Sequence, residues 1–365
     1  MRRREFHGSD DQGTELFATL PVMQLAGVDA EGQPVLRTLN GVVDDGWVCF
    51  HGSPAGEKTD LLGRPVVVAV EETVARIPSY FMDPEKACPA TTLYRSAQVH
   101  GTLQRIDEPV RKARVLQKLM EKLQPEGGYV PLDHDSPMYR AAVKGILIAG
   151  LPLAGFTTTK LKLAQNKKPE EQQTMMQKLW ERGERDDARA IELIRAANPT
   201  TAAPKFLEAP EGMKLHAWLP ERFAREARAM LKPEYWNDQF SEAQLEAAHV
   251  GANAWVGITD DVTGELLATA RAISDGAKYA WVYDVCVRKD QRRRGLGQLV
   301  MKLLLDHPAV RRCAIVRLGT KDAQSLYRRF GFVATSELPP RPYATTEMLL
   351  KRTPSEPVRL LANAG

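Results

Sequence analysis

Apolar and polar residues alternate along VMQLAGVDAEGQPVLRTLNGVVDDGWVCFHGS, residues 22–53, with Asp/Gly turns at 29–34 and 44–46. A period of two broken by tight turns predicts short antiparallel strands. RPVVVAVEE and YRSAQVHGTLQRI extend the pattern, and GEKTDLL reads as a short helix with Lys58 near its start. The first half is therefore expected to be a β-meander or barrel with added helices. From Pro169 the period changes. Residues 169–197 begin with proline and acidic residues and are rich in Gln, Leu and Ala, which predicts a helix that Gly183 divides.

The second half has a different rhythm. YAWVYDVCV, 279–287, is rich in Val and aromatics and reads as a buried strand. The charged run KDQRRRGLG follows, and then Leu296, Leu299, Val300, Leu303 and Leu304 fall on one helical face. CAIVRLGT, 313–320, reads as another strand. Ala323, Leu326, Tyr327 and Phe330 form a further helical face that Gly331 ends, and a last strand is expected near Leu350. Residues 197–212 carry prolines and few large apolar groups, as a linker would. The resulting division is a loose start over 1–13, a β-rich domain over 14–196, the linker, an α/β domain over 213–351 and a loose tail over 352–365.

At 365 residues two domains are expected, and 43 % hydrophobic with 26 % charged residues is a globular composition. Fifty basic against 46 acidic residues is too even a balance to argue for nucleic acid, and no basic reading helix is visible. No apolar run reaches membrane-spanning length, and MRRREFHGSDDQG has no apolar stretch behind its charges, so neither a membrane span nor a secretory signal is expected. Cys49, Cys88, Cys286 and Cys313 form no C-x-x-C pair, which argues against zinc and fits a reducing cytoplasm.

A basic glycine turn between strand and helix has a chemical reading. Free backbone N–H groups and the positive helix end point at one place, Gly295 and Gly297 let a ligand approach the backbone, and Arg292, Arg293 and Arg294 match phosphate geometry. The turn is an anion site suited to pyrophosphate. A P-loop needs G-K-[ST], which is absent. A Rossmann fingerprint needs a third Gly or Ala where Val300 stands. The remaining pattern, [Q/R]-x-x-G-x-[G/A], fits Arg292 to Gly297 and suits acetyl-CoA.

With A-x-x-L-Y-x-x-x-G-F following at 323–332, the chain from 279 to 332 closely resembles the GNAT superfamily of N-acetyltransferases, over about 213–350. The resemblance implies an α/β fold with a central mixed sheet. It implies that Val285, Cys286 and Val287 meet the pantetheine arm and thioester, and that residues from Arg292 through Leu296 to Gly297 hold the pyrophosphate. It also implies that Tyr327 protonates the leaving thiolate. Thr320 stands where the family often has Asn, which places the pantetheine contact there in question. The acceptor amine must lose a proton before attack, so a carboxylate or water chain is needed. Asp284, Asp238 and Glu242 are candidates, and Trp236 is a candidate lining residue.

In the first half, His51, Gly52, Ser53 and Gly56 precede Lys58 in FHGSPAGEKTDLL, and KLKLAQNKKPEEQ begins at Lys160. Lysine and hydroxyl at a helix start make a second anion site. This order resembles the FMN-binding split barrels related to pyridoxamine 5′-phosphate oxidase, especially nitroimidazole-resistance and Pai-type proteins, over about 14–180. The resemblance implies a split β-barrel. It places Arg37, Thr38, Leu39 and Asn40 at the flavin ring and His51, Ser53 and Lys58 at the ribityl phosphate, with Tyr94 and Ser96 completing the site. It also implies a homodimer with flavin between protomers. Haem, deazaflavin or no cofactor are open within the same family, and the basic residues that grip pyridoxal phosphate are not recognisable.

The leading expectation is an acetyltransferase acting on a small-molecule or peptide amine, fused to a flavin barrel that reduces a small molecule or senses redox state. The second is a non-catalytic regulator whose halves both sense ligands.

Overall fold

The computed structural model describes residues 3–154, 157–339, 346 and 348. The first half carries nine described strands: β1 Met23–Val28, β2 Pro34–Leu39, β3 Gly41–Asp44, β4 Trp47–Gly52, β5 Pro65–Ile77, β6 Thr91–Thr102, β7 Gln104–Arg105, β8 Leu147–Pro152 and β9 Thr157–Lys162. They form two antiparallel sheets, ordered β2-β1-β5-β6-β9 and β3-β4-β8-β7. The alternation explains why. Met23 and Leu25 of β1 are buried and Gln24 is not, so one face of each strand fills a core shared with Val48 and Phe50 of β4 and Leu147, Ala149 and Leu151 of β8.

Five helices accompany this half: α1 Asp10–Thr19, α2 Pro109–Leu123, α3 Arg140–Gly145, α4 Pro169–Arg182 and α5 Asp187–Ala197. Within residues 3–13, expected to be loose, lie a 3-10 turn at Arg4–Phe6 and the first turn of α1. Ser9 and Gln12 cap each other at the start of α1, and the helix buries Leu16 and Phe17. GEKTDLL is not a helix. Thr59, Asp60 and Leu62 each donate to a carbonyl three residues back, and Gly56 and Gly63 at positive φ bound a run of turns. Lys58 therefore has no helix dipole behind it. Helix α2 is tied down by Asp44, fully buried, which receives Arg114 at 2.7 Å and Lys118 at 3.0 Å. These cations hold its carboxyl at about 2 against its desolvation.

The second half builds a five-stranded mixed sheet from β10 Met213–His216, β11 Ala254–Asp260, β12 Leu266–Ser274, β13 Tyr279–Val287 and β14 Ile315–Arg317, in that order. Helices α6 Ala224–Leu231, α7 Glu242–Val250, α8 Leu296–Asp306 and α9 Pro308–Arg311 accompany it. Residues 319–339 form a separate compact unit containing α10 Gln324–Arg328. Helix α10 is shorter than the periodicity suggested, with Gly331 at φ +83° closing the segment. The strand expected near Leu350 and the tail over 352–365 lie outside the described residues. Among the described residues no helix is long and apolar enough to cross a membrane.

Helices α4 and α5 bolt the two halves together. Gly183 ends α4 at φ +62°, and a Cβ there would meet the Pro308 ring at 2.3 Å, so both conformation and space require glycine. Trp180 Nε1 donates to Asp306 Oδ2 at 2.7 Å, and Arg311 donates to the carbonyls of Trp180 and Glu181 at the end of α4. His307 is packed edge-on against Trp180, and its Nδ1 accepts from the Ala309 N–H at 3.2 Å, capping α9.

Burial and the nearby Arg311 charge push the His307 imidazole down to about 3, so it is neutral in the folded protein. The unfolded chain binds the extra proton between about pH 6.5 and 3. Stability from this group is full above 6.5 and is lost as pH falls, by up to about 1.4 kcal/mol per unit. His307→Asn keeps a capping acceptor without the titration. Melting temperatures measured from pH 7 to 4 should fall less steeply for this variant than for wild type; parallel curves would contradict the assignment.

Candidate functional site

On its β14 side, strand β13 is paired only at its start. Tyr279, Ala280 and Trp281 pair in parallel with Ile315, Val316 and Arg317 of β14, and residues 282–287 have no β14 partner. On its other edge β13 stays paired with β12 to Val287. Among the described residues no strand pairs with this edge beside Val285, Cys286 and Val287, and apart from the Val287 carbonyl, which accepts from Arg292 Nε, its backbone groups can meet a strand-like ligand. Within the unpaired stretch, Asp284 and Val285 stand opposite Ala270, and Asp284 adopts φ +52°.

The chain then crosses to α8. Gly295 caps α8 at φ +78°, with no side-chain cap, and its carbonyl accepts from Gln298 and Leu299. The amides of Leu296 and Gly297 are left without an intrahelical acceptor. A Cβ built on Gly295 would meet nothing within 4 Å, so the space beside the cap residue itself is open. The arginines differ. Arg292 is held by Glu234 at 2.8 Å and by the Val287 carbonyl, and Arg294 is hydrogen-bonded to Gln291. Arg293, at φ +66°, is exposed and has no ion pair among the described residues. In the separate unit, Thr320 Oγ1 accepts from the Ala323 N–H at 3.0 Å, and buried Tyr327 packs edge-on against Phe332.

The residues assigned to a flavin fall into two groups. At the end of β4, the Lys58 side chain lies across Gly52, where a Cβ would be 2.4 Å from its Nζ. His51 Nδ1 is buried without a hydrogen-bond partner among the described residues. Burial, and then the Lys58 charge, push this imidazole down, which favours the neutral form. Ser53 Oγ accepts from the Ala55 N–H, and Arg37 pairs with Glu57 beside Lys58. The second group lies on the outer face of the larger sheet. Thr38 donates to Gln24 at 3.0 Å, and Gln24 lines a cavity of about 450 Å3 with Tyr94 and Ser96. That cavity is not lined by His51, Ser53 or Lys58. Leu39 faces the core rather than either group, and Asn40 is exposed between β2 and β3.

Residues 9–158 match the family described as pyridoxamine 5′-phosphate oxidase, and residues 217–332 match the acetyltransferase (GNAT) family. The chain joins a pyridoxamine oxidase-like domain to a GNAT domain. Helices α4 and α5 fall in neither matched region. Solved structures match parts of the chain. One is the FAD and heme binding protein of Mycobacterium smegmatis, 18 % identical over 42 % of this chain and 71 % of its own, TM-score 0.35. Another is a protein assigned to 5-nitroimidazole antibiotic resistance from Bacteroides thetaiotaomicron, 16 % identical over 42 % and 85 %, TM-score 0.34. A third is a GNAT-family protein from Xanthomonas campestris pv. campestris, 26 % identical over 36 % and 93 %, TM-score 0.30. No curated protein matches the chain.

Within the GNAT domain the three carboxylates considered as bases have different surroundings. Glu242 is exposed and paired with Arg228 at 2.8 Å. Asp238 is exposed in the turn before α7, not in a helix. Asp284 is buried, receives Arg271 Nε at 2.6 Å, and accepts from Trp236 Nε1 at 3.0 Å. Trp236 therefore holds the bulge carboxylate. Sequence reasoning missed Arg271, whose partner is 13 residues away on the next strand. Asp284→Asn keeps the shape and the tolerance for positive φ but leaves the buried guanidinium uncompensated. Stability should fall by about 3 kcal/mol or more in denaturant titration; an unchanged midpoint would refute the ion pair as a structural element.

Proposed function

We propose that the GNAT domain moves acetyl from acetyl-CoA to an amine. The unpaired edge of β13 leading directly into the glycine-capped start of α8 carries this reading. An extended pantetheine arm would lie on the open edge at 285–287, and the pyrophosphate would lie on the amides of Leu296 and Gly297 beside Arg293. The amine nitrogen attacks the thioester carbonyl, whose oxygen is polarised by a β13 amide, and the C–S bond breaks. The amine proton leaves to a base or to water, and the CoA sulfur takes one. Tyr327 is assigned that second proton from its place in the sequence pattern.

The oxidase-like domain is proposed to bind FMN, which would supply electron transfer to a small molecule. The residues present fit such a group at its phosphate: Lys58 brings charge, Gly52 allows it to lie close to the strand end, and the unpartnered His51 nitrogen can meet an anion-linked hydroxyl. Tyr94 and Ser96 on a different face support a site completed by a second copy of the chain, and hence a homodimer.

The test is thiol release from acetyl-CoA with a panel of polyamines, amino-sugars and peptides, together with the visible spectrum of the purified protein. Turnover with at least one amine supports the transferase, whereas release with none would leave the ligand-sensing regulator. A flavin spectrum supports the barrel assignment, and failure to acquire it on addition of FMN removes it.

A further inference from the structure

Strand β13 carries an uncovered aromatic row. Tyr279, Trp281 and Tyr283 alternate, so they share one face of the strand. All three are exposed, as is Ile273, which stands opposite Trp281 on β12. The Trp281 and Tyr283 rings stack at 6.0 Å and 16°, and the Arg271 guanidinium lies 5.0 Å from the Tyr283 centroid. Trp236 and Asn237, in the turn after α6, reach Asp284, and the exposed row begins one residue before it. A cavity of about 490 Å3 opens at the other end of the row, with Ile273, Asp275, Tyr279, Trp281 and Arg317 in its wall. The charge there is mainly positive. Arg317 and Lys278 lie 5.5 and 5.7 Å from the Tyr279 centroid, and among the described residues neither has a carboxylate within 4.0 Å. Asp275 also lines the cavity, but its Oδ1 accepts from the N–H groups of Ala277, Lys278 and Tyr279. Nearer the bulge, Arg271 is matched by Asp284.

The row runs toward the stretch at 285–287 proposed to hold the thioester. At ~3.3 Å per residue, Tyr283 and Trp281 stand roughly 7 and 13 Å before Val285 on the same strand. A molecule with its amine at the thioester therefore lays its body on the two stacked rings and its end in the cavity beside Arg317. A flat apolar body gains by covering exposed rings, and a carboxylate is the group that fits an unpaired guanidinium. We infer that the acceptor is an elongated aromatic amine ending in a carboxylate roughly 10 Å from its nitrogen, its ring on Trp281 and Tyr283 and its carboxylate on Arg317. This acceptor class rests on the transferase reading and narrows it. Polyamines carry cations along their whole length and are repelled by Arg317 and Lys278, and amino-sugars bring no aromatic face.

The probe is 4′-(aminomethyl)biphenyl-4-carboxylate, titrated calorimetrically into the full chain. Its carboxamide removes the charge, and 8-aminooctanoate removes the rings. The probe should bind with one site per chain, and each control should bind at least about tenfold more weakly. Arg317→Gln should weaken the probe at least about tenfold and leave the carboxamide unchanged. Trp281→Leu should weaken the probe and the carboxamide alike, by roughly two- to tenfold. Neither side chain is buried, and an unchanged melting temperature checks the fold of each variant. In turnover with acetyl-CoA, Arg317→Gln should raise KM for the probe with kcat unchanged. Absence of saturable probe binding, equal binding of the carboxamide, or an unaltered affinity in Arg317→Gln each overturns the inference. Acetyl-CoA titrated into the same preparation separates the two readings. If acetyl-CoA binds and the probe does not, the acceptor class fails and the transferase reading stands. If the probe binds and acetyl-CoA does not, the transferase reading fails and the acceptor role falls with it.

Discussion

Gly295→Asp should lower acetyl-CoA affinity by roughly a hundredfold while leaving the fold intact. Gly295 sits at φ +78° as the cap of α8, with open space where its Cβ would be. Aspartate is among the few residues that tolerate this conformation, and it is a favourable cap, so backbone strain and helix loss are both small. What changes is the charge. A carboxylate about 5 Å from a phosphate costs about 3 kcal/mol at an effective dielectric near 20, and it also competes for the Leu296 and Gly297 amides. Calorimetry with acetyl-CoA alongside a melting curve separates binding from folding. Retained tight binding in a folded variant would show that the diphosphate lies elsewhere.

Tyr327→Phe should leave acetyl-CoA binding unchanged and reduce kcat by about 10²- to 10⁴-fold, the usual contribution of a positioned general acid. A phenol near 10 can protonate a departing thiolate whose conjugate acid lies near 8.5, and phenylalanine keeps the ring without the proton. The substitution preserves the edge-on contact with Phe332, so packing should survive. The separation of kcat from affinity is the useful readout. A core aromatic with no proton role would give wild-type turnover, and that result would move the acid elsewhere.

The turn from β13 into α8 was legible because its signals are local. A Val- and aromatic-rich strand, two glycines and a five-residue apolar repeat follow one another within 26 residues of sequence. The opening beside residues 285–287 was not legible. It depends on β14 pairing with only three residues of β13, a length that the longer apolar run at 313–320 did not disclose. Partners distant in sequence were equally hidden. Arg292 looked free for phosphate, yet Glu234, 58 residues earlier, holds it. Asp284 looked like a candidate base, yet Arg271 and Trp236 converge on it from a neighbouring strand and a turn.

Local signals also misled or were passed over. GEKTDLL has helix-forming residues, but Gly56 and Gly63 at positive φ confine it to three-residue turns, so the expected dipole behind Lys58 is absent. The Ser9–Gln12 capping box was readable in the sequence, and it marks the start of a helix within a stretch expected to be loose. In the barrel, alternation revealed which faces are apolar. It did not reveal that the flavin candidates divide between a strand end and an outer sheet face, because that division depends on how two sheets are arranged.

The central claim is that the amides at the start of α8 and the open edge of β13 hold coenzyme A. Isothermal titration of acetyl-CoA into the full chain measures it most directly. Saturable binding near one equivalent per chain, weakened as ionic strength rises because exposed arginine charge is screened, is the predicted result. Well-folded protein that gives no saturable heat, and no competition between acetyl-CoA and CoA, would contradict it.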